Sequence, residues 1–238
     1  MKDAGAENAI ALLSRGVKIL RENDAEVERL LAPRHDEALS LLERYIKEIE
    51  LFNSAYSLVG VSDTKELVIK HILDSLSPLG IISRLLTAKN GTSIADAGSG
   101  AGLPGIPLAI ALPEREFTLI ERMGRRAGFL FNTQAILASF AKGGLNNISV
   151  EEGDIAETGA GRFSLITFRA FKEMNPDLIK TLFNALAARG VIACYKGRLE
   201  KIKMEMAPLE KSGCQWEAVP YNVPFLDAER HLLVIGRK

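Results

Sequence analysis

Four glycines crowd into the stretch Asp96-Ala-Gly98-Ser99-Gly100-Ala-Gly102-Leu103-Pro-Gly105. Glycine opens backbone conformations closed to other residues and lets a ligand approach the main chain. Two chemistries fit. Gly100-x-Gly102-x-x-Gly105 satisfies a dinucleotide fingerprint, in which bare amides and a helix dipole hold a pyrophosphate. The same run also reads as Asp-x-Gly-x-Gly-x-Gly with Asp96 ending a strand, and a carboxylate there suits a cofactor that carries an ammonium. S-adenosylmethionine (SAM) carries an ammonium and a sulfonium. Glu121 fits a ribose-diol acceptor in either reading. Asp154, beside the Ile155-Ala156 main chain, can accept from an adenine amino group, or it can cap a turn. The readings left open are a SAM-dependent methyltransferase, an NAD(P)-dependent oxidoreductase, and a protein that keeps the loop without catalysis.

Other chemistry is sparse. An Asn/Asp-Pro-Pro-aromatic tetrad, which in methyltransferases orients an exocyclic amine, is missing; its place holds Thr167-Phe-Arg169-Ala-Phe171. Cys194 and Cys214 lie in no C-x-x-C and read as packing residues. His35, His71 and His231 are scattered, so no metal constellation is expected. Arg169 stands where a strand should end beside the ligand crevice.

The elements that must position these residues follow from spacing. Residues 7 to 57 have helical apolar periodicity (Ile10, Leu13, Val17, Leu20, Leu39, Leu42, Tyr45, Ile49, Phe52), which Pro33 divides into two helices. Asp63 with Glu66 reads as a capping box opening a helix that ends at Pro78 and Gly80; a short helix precedes a turn at Lys89-Asn-Gly91. From residue 92 strands at 93–97, 117–120, 148–151, 163–168, 191–195, 215–219 and 231–235 alternate with helices at 106–111, 125–141, 176–188 and 199–211. That rhythm predicts an α/β fold: a Rossmann-like, seven-stranded, mostly parallel sheet, with the last two strands antiparallel at one end. The expected division is a helical region 1–91, its first 30 residues an extension, and a core 92–238.

The chain has 238 residues, 47% hydrophobic and 25% charged, with 30 basic and 30 acidic side chains. This excludes extensive disorder and a strongly basic nucleic-acid coat. The apolar run from Leu103 to Leu112 is too short to span a bilayer. A soluble, cytoplasmic protein is expected. Local basic groups remain: Arg122, Arg125 and Arg126 after the second strand, and Lys196, Arg198, Lys201 and Lys203 in a stretch, 189–211, with 6 basic and 3 acidic residues. These could face phosphates.

The run Asp96 to Ala109 resembles the cofactor loop of the small-subunit ribosomal RNA guanine-N7 methyltransferases, the glucose-inhibited division protein B or methyltransferase G family. Phe117-Thr-Leu-Ile-Glu-Arg-Met-Gly-Arg-Arg126, Arg169-Ala-Phe171, Lys196-Gly197, Glu229-Arg-His-Leu-Leu233, His71-Ile-Leu-Asp-Ser75 and Asn53 resemble further blocks, in order, from about residue 53 to 236. The chain departs from the family pattern at Ser57, Val59, Glu121, Asp154 and Phe168. The resemblance implies a class I SAM-dependent fold and methylation of N7 of one guanine in 16S ribosomal RNA, on the small subunit or an assembly intermediate, without metal or membrane. It implies that Gly98 and Leu103 line the cofactor site, that the Ile155-Ala156 main chain meets the adenine, and that Arg169 faces cofactor and target. With the residue reading above, Asp96, Ser99, Gly100, Gly102, Glu121 and Asp154 complete the expected cofactor site, and Arg169 is the expected catalytic residue. A bidentate Arg grip on O6 and N7 would block the reacting atom, so Arg169 is expected on O6 or on the cofactor carboxylate.

Overall fold

The helical periodicity of the first fifty residues resolves into three helices in the computed structural model. The structure describes residues 3–56, 58–140, 144–170, 173–209 and 213–238. Helices α1 (Asp3–Asn23), α2 (Ala25–Leu31) and α3 (His35–Tyr56) are separated at two places. Pro33 makes the expected break, within a short 3₁₀ turn. The other break was not expected. Asp24 leaves helical geometry and its carboxylate accepts from the Glu26 amide at 2.9 Å, capping α2. Asp63 likewise caps α4 (Thr64–Leu67), accepting from the Glu66 amide at 2.8 Å. Only half of the expected box forms, because Glu66 turns back to the Ser62 amide instead. The helix continues through a π-helical turn, Val68–Leu73, into α5 (Asp74–Leu76). Then α6 (Leu79–Lys89) ends on Asn90 in the left-handed conformation, the expected turn.

The remaining elements are β1 (Ser93–Ala97), α7 (Gly105–Ala111), β2 (Glu116–Glu121), α8 (Gly124–Phe140), β3 (Ile148–Glu152), β4 (Phe163–Arg169), α9 (Pro176–Ala185), β5 (Leu186–Lys196), α10 (Leu199–Met206), β6 (Cys214–Tyr221) and β7 (Arg230–Arg237). The expected ends at Ala141 and Lys211 lie outside the described residues, as does Phe171. Helix α9 stops at Ala185 rather than 188, because β5 already begins at Leu186, opposite Phe163.

The sheet order is β3-β2-β1-β4-β5-β7-β6. All neighbours pair in parallel except β7, which is antiparallel to both β5 and β6. The last two strands do pair antiparallel, and the final strand slips between its two predecessors. Successive residues feed opposite layers, as the two-residue strand period demands. Ile94, Leu119, Leu165 and Val191 join a core shared with α1 to α8, whereas Ala95, Ile120, Ile166 and Ile192 join one covered by α9 and α10. The carboxyl ends of β1 to β6 therefore share one rim, with the start of β7 beside them. Among the described residues no helix is long and apolar enough to cross a membrane.

Candidate active site

The glycine loop lies on that rim. Gly98, Gly100 and Gly102 have φ of 68°, 57° and 88°, in the left-handed region that a side chain disfavours. The amides of Gly98 and Ser99 donate to the Ile120 carbonyl at 2.8 and 3.0 Å, and those of Gly102 and Leu103 to the Ser99 carbonyl at 2.7 and 3.2 Å. The Gly100 amide donates to Glu121 Oε2 and the Gly105 amide to Asp96 Oδ2, both at 2.9 Å. These amides are spent inside the protein. A pyrophosphate loop must offer such groups outward, so the dinucleotide reading loses its physical basis. What the loop leaves unsatisfied is an acceptor: Asp96 Oδ1 is buried with no hydrogen-bond partner among the described residues. Burial pushes the Asp96 carboxyl up to about 6, against the opposing effect of the Ser99 hydroxyl and the Gly105 amide. A cationic ligand group would repair both defects. Above Gly100 there is room for one, since an added Cβ would meet nothing nearer than 3.9 Å.

Beyond the loop, Gly98, Glu121, Arg122, Arg126, Asp154 and Ile155 line a cavity of about 150 Å³. Glu121 is buried and its Oε1 accepts from the Met123 amide at 2.8 Å. Two amides thus fix this carboxylate while lone pairs remain for hydroxyl donors. Asp154 Oδ1 accepts from the Ala156 amide at 3.1 Å, and the Asp154 amide donates to Glu157 at 3.2 Å, a capping box on the 3₁₀ turn Ile155–Glu157. The capping alternative for Asp154 is thus present, and it engages the Ala156 amide. Ser99 is buried and donates its hydroxyl to the Asp96 carbonyl at 3.0 Å; Leu103 packs into the core at the foot of the loop.

The other half of the rim is a larger cavity of about 500 Å³ beside Arg169, within the size range of small-molecule sites. Arg169 Nη1 donates to Asp74 Oδ2 and to the Lys70 carbonyl, both at 3.1 Å, and Nη2 lies 2.7 Å from His71 Nδ1. Arginine only donates, so Nδ1 accepts and the proton sits on Nε2. Burial, aided by the Arg169 charge, lowers the His71 pKa to about 4, which keeps the ring neutral. Asp74 Oδ1 also accepts from the Tyr221 hydroxyl at 3.1 Å and lies 3.4 Å from Arg230 Nε. Two further hydroxyls cross from sheet to helices and back. Tyr195 donates to the Ser75 carbonyl and Tyr45 to the Ala101 carbonyl, each at 2.7 Å. Ala170, at φ 51°, lines both cavities and stands between them.

The sequence profile of rRNA small subunit methyltransferase G (GidB) matches residues 38–233. The chain belongs to that family. As a member of the rRNA small subunit methyltransferase G family it is a SAM-dependent rRNA methyltransferase. Curated relatives carry the same name: one from Treponema denticola is 33% identical over 252 aligned positions, covering 95% of this chain and 94% of its own. One from Treponema pallidum is 39% identical over 229, covering 94% and 93%. Solved structures share the class I methyltransferase fold. A SAM-dependent methyltransferase from Aquifex aeolicus has a TM-score of 0.54 at 11% identity, covering 75% of this chain and 96% of its own. Magnesium protoporphyrin IX methyltransferase from Synechocystis, solved with bound SAM, has a TM-score of 0.51 at 14% identity, covering 82% and 97%.

In this family member the sequence-derived residues fall into three groups. Asp96, Gly98, Gly100, Glu121, Asp154 and Ile155 gather at the loop and the smaller cavity, with Ser99, Gly102, Leu103 and Ala156 supporting them through backbone and core. Arg169 and Lys196 line the larger cavity. Lys196, expected to face RNA, is instead paired with Glu205 at 2.7 and 2.9 Å. Arg122, Arg125 and Arg198 are exposed and Arg126 is half-buried; among the described residues none of the four forms an ion pair with a carboxylate. Residues that spacing did not reveal are Asp74, Tyr195, Tyr221, Arg230 and Tyr45. The signals for them were the places of Asp74 in the His71-Ile-Leu-Asp-Ser block and of Arg230 in the Glu229-Arg-His-Leu-Leu block.

Proposed function

We propose that this methyltransferase modifies N7 of a guanine in 16S rRNA, on the small subunit or an assembly intermediate in the cytoplasm, with core 92–238 holding the chemistry and helical region 1–91 bracing it. The observation that carries the reading is the buried Asp96 Oδ1, without a hydrogen-bond partner among the described residues, in a loop whose glycine amides are already satisfied. That site fits an ammonium and not a phosphate. SAM, when bound, supplies an electrophilic methyl on a sulfonium. Asp96 takes the ammonium, Glu121 the ribose hydroxyls, and Ile155-Ala156 with Asp154 the adenine side.

Guanine N7 has an in-plane lone pair and loses no proton on methylation, so no side chain needs to act as base. The work left to the protein is orientation and exclusion of water, which can lower a barrier by several kcal/mol, on the order of 7 in favourable cases. Arg169 suits that work. Both its terminal nitrogens are tied to Asp74, Lys70 and His71, so it stands as a fixed cation at the larger cavity and not as a free fork. A fixed cation can bond O6 or a carboxylate while leaving N7 open. Arg122, Arg125, Arg126 and Arg198 supply phosphate contacts. Mass spectrometry of nucleosides from unmodified small subunits, incubated with protein and SAM, tests the reading. New 7-methylguanosine is expected; its absence on subunits, free rRNA and assembly intermediates would remove the N7-guanine assignment.

A further inference from the structure

A third cavity, of about 470 Å³, opens beside the cofactor bay. It is lined by Phe52, Tyr56 and Leu58 from the helical region and by Met123, Arg125 and Arg126 at the start of α8. Met123 and Arg126 also line the smaller cavity of the active site, so the two spaces adjoin. An aromatic ladder runs out to it from the core. Phe129 is buried, Phe52 lies 4.9 Å from it, and Tyr56 lies 4.8 Å from Phe52. At the outer end Tyr56 is 52% exposed and Met123 50% exposed. The Arg125 guanidinium sits 5.1 Å from the Tyr56 ring centroid. No carboxylate lines the cavity, and among the described residues Arg122, Arg125 and Arg126 have no carboxylate partners.

An exposed ring backed by a second ring, with cations beside it that carry no carboxylate partner among the described residues, is how proteins receive single-stranded nucleic acid: the ring or the arginine on it stacks a base and the cations hold its phosphates. The proposed rRNA substrate offers both a base for the ring and phosphates for the arginines, which favours RNA over a protein segment here. We infer that Tyr56, backed by Phe52 and flanked by Arg125, stacks an unpaired base of the rRNA next to the target guanine and so positions that guanine at the cofactor bay. The inference rests on the proposed rRNA substrate. It makes Tyr56 a positioning residue contributed by the helical region, and it gives that region a part in choosing the substrate.

The test compares wild type, Tyr56→Ala, Tyr56→Phe and Arg125→Gln. Each is measured for methyl transfer to unmodified small subunits, for filter binding to unmodified deproteinised rRNA, and for SAM binding by calorimetry. Tyr56→Ala is expected to raise KM and weaken rRNA binding by about tenfold, as loss of one stacked base does, with kcat and SAM affinity within about twofold of wild type. Tyr56→Phe keeps the ring and should restore both. Arg125→Gln should weaken rRNA binding and lower its salt dependence by about one phosphate contact. KM and rRNA affinity unchanged in Tyr56→Ala would overturn the inference. So would an equal fall in SAM affinity, which would mean that the ring merely shapes the cofactor bay. A defect seen on subunits but not on free rRNA would assign the surface to a ribosomal protein and overturn it too. Wild-type protein that binds rRNA without transferring a methyl would remove the proposed function alone, since the binding comparison with Tyr56→Ala would still be read.

Discussion

The two halves of the strand rim are built on opposite plans. Over β1 to β3 the acids Asp96, Glu121 and Asp154 hold backbone amides, all within one stretch of the chain. Over β4 to β7 side chain meets side chain, and Asp74 alone serves Arg169, Tyr221 and Arg230 from elements 95 or more residues away. The first plan shapes a loop and leaves Asp96 Oδ1 without a partner among the described residues. The second plan satisfies a fixed cation completely enough to hold it still. A cofactor common to many methyltransferases can be met by local backbone, whereas a particular target has to be met by the join between helices and sheet.

Breaking the second half should cost most. Asp74→Asn leaves two buried or half-buried arginines short of a counter-charge, and removing one partner from such a network costs about 3–5 kcal/mol. Urea unfolding should show a loss of that size, and a loss under about 1 kcal/mol would mean that the network is not the brace it resembles. In the first half, Asp96→Asn should act in two directions. Because folding raises the Asp96 pKa from 3.8 to about 6, the folded state binds more protons, and this residue's stability contribution falls as pH rises through that window. The variant should therefore be up to about 3 kcal/mol more stable than wild type at pH 7.5 without ligand, while its SAM affinity, read by calorimetry, falls at least about tenfold. In wild type, SAM affinity should weaken as pH drops below about 6.

His71 sharpens the contrast because its slope has the other sign. Folding lowers its pKa from 6.5 to about 4, so stability is lost as pH falls through that range. His71→Asn, which keeps an acceptor for Arg169, should reduce the drop in stability between pH 7.5 and pH 5 by about 2 kcal/mol. In the Asp96→Asn background, where the opposing slope is gone, the acid-side loss should steepen. The smallest expected effect is Arg198→Gln: unchanged thermal midpoint and SAM affinity, with a salt slope of rRNA binding lower by about one.

The same contrast explains what the sequence discloses. The glycine loop is contiguous, so Asp96 and Gly98 could be given expected roles from order and type alone, and Glu121 from its place at the end of the next strand; the strands were legible because short apolar runs alternate with helical spacing. The break at Asp24 was missed because apolar spacing runs on through it and the cap is a single side chain. The insertion of β7 between β5 and β6 carries no local mark, since either edge accepts an antiparallel strand. Tyr221 could not be found, and Arg230 stood in a quoted block without a role, because nothing near either in the chain records their shared partner, Asp74. Lys196 read as a phosphate contact because a count of charges does not reveal that Glu205, nine residues on, folds back to it.

The π-helical turn at Val68–Leu73 sets a limit on how this protein can vary in length. That turn carries Lys70 and His71, and Asp74 follows at once. Each helical residue advances the chain by about 100° around the axis. Deleting or adding one residue here would leave a sound helix yet swing Asp74 away from the side on which Lys70 and His71 receive Arg169. The segment can absorb many changes of side chain at its solvent positions, but a change of one in its residue count would leave Arg169, Tyr221 and Arg230 facing the wrong side of an otherwise intact helix.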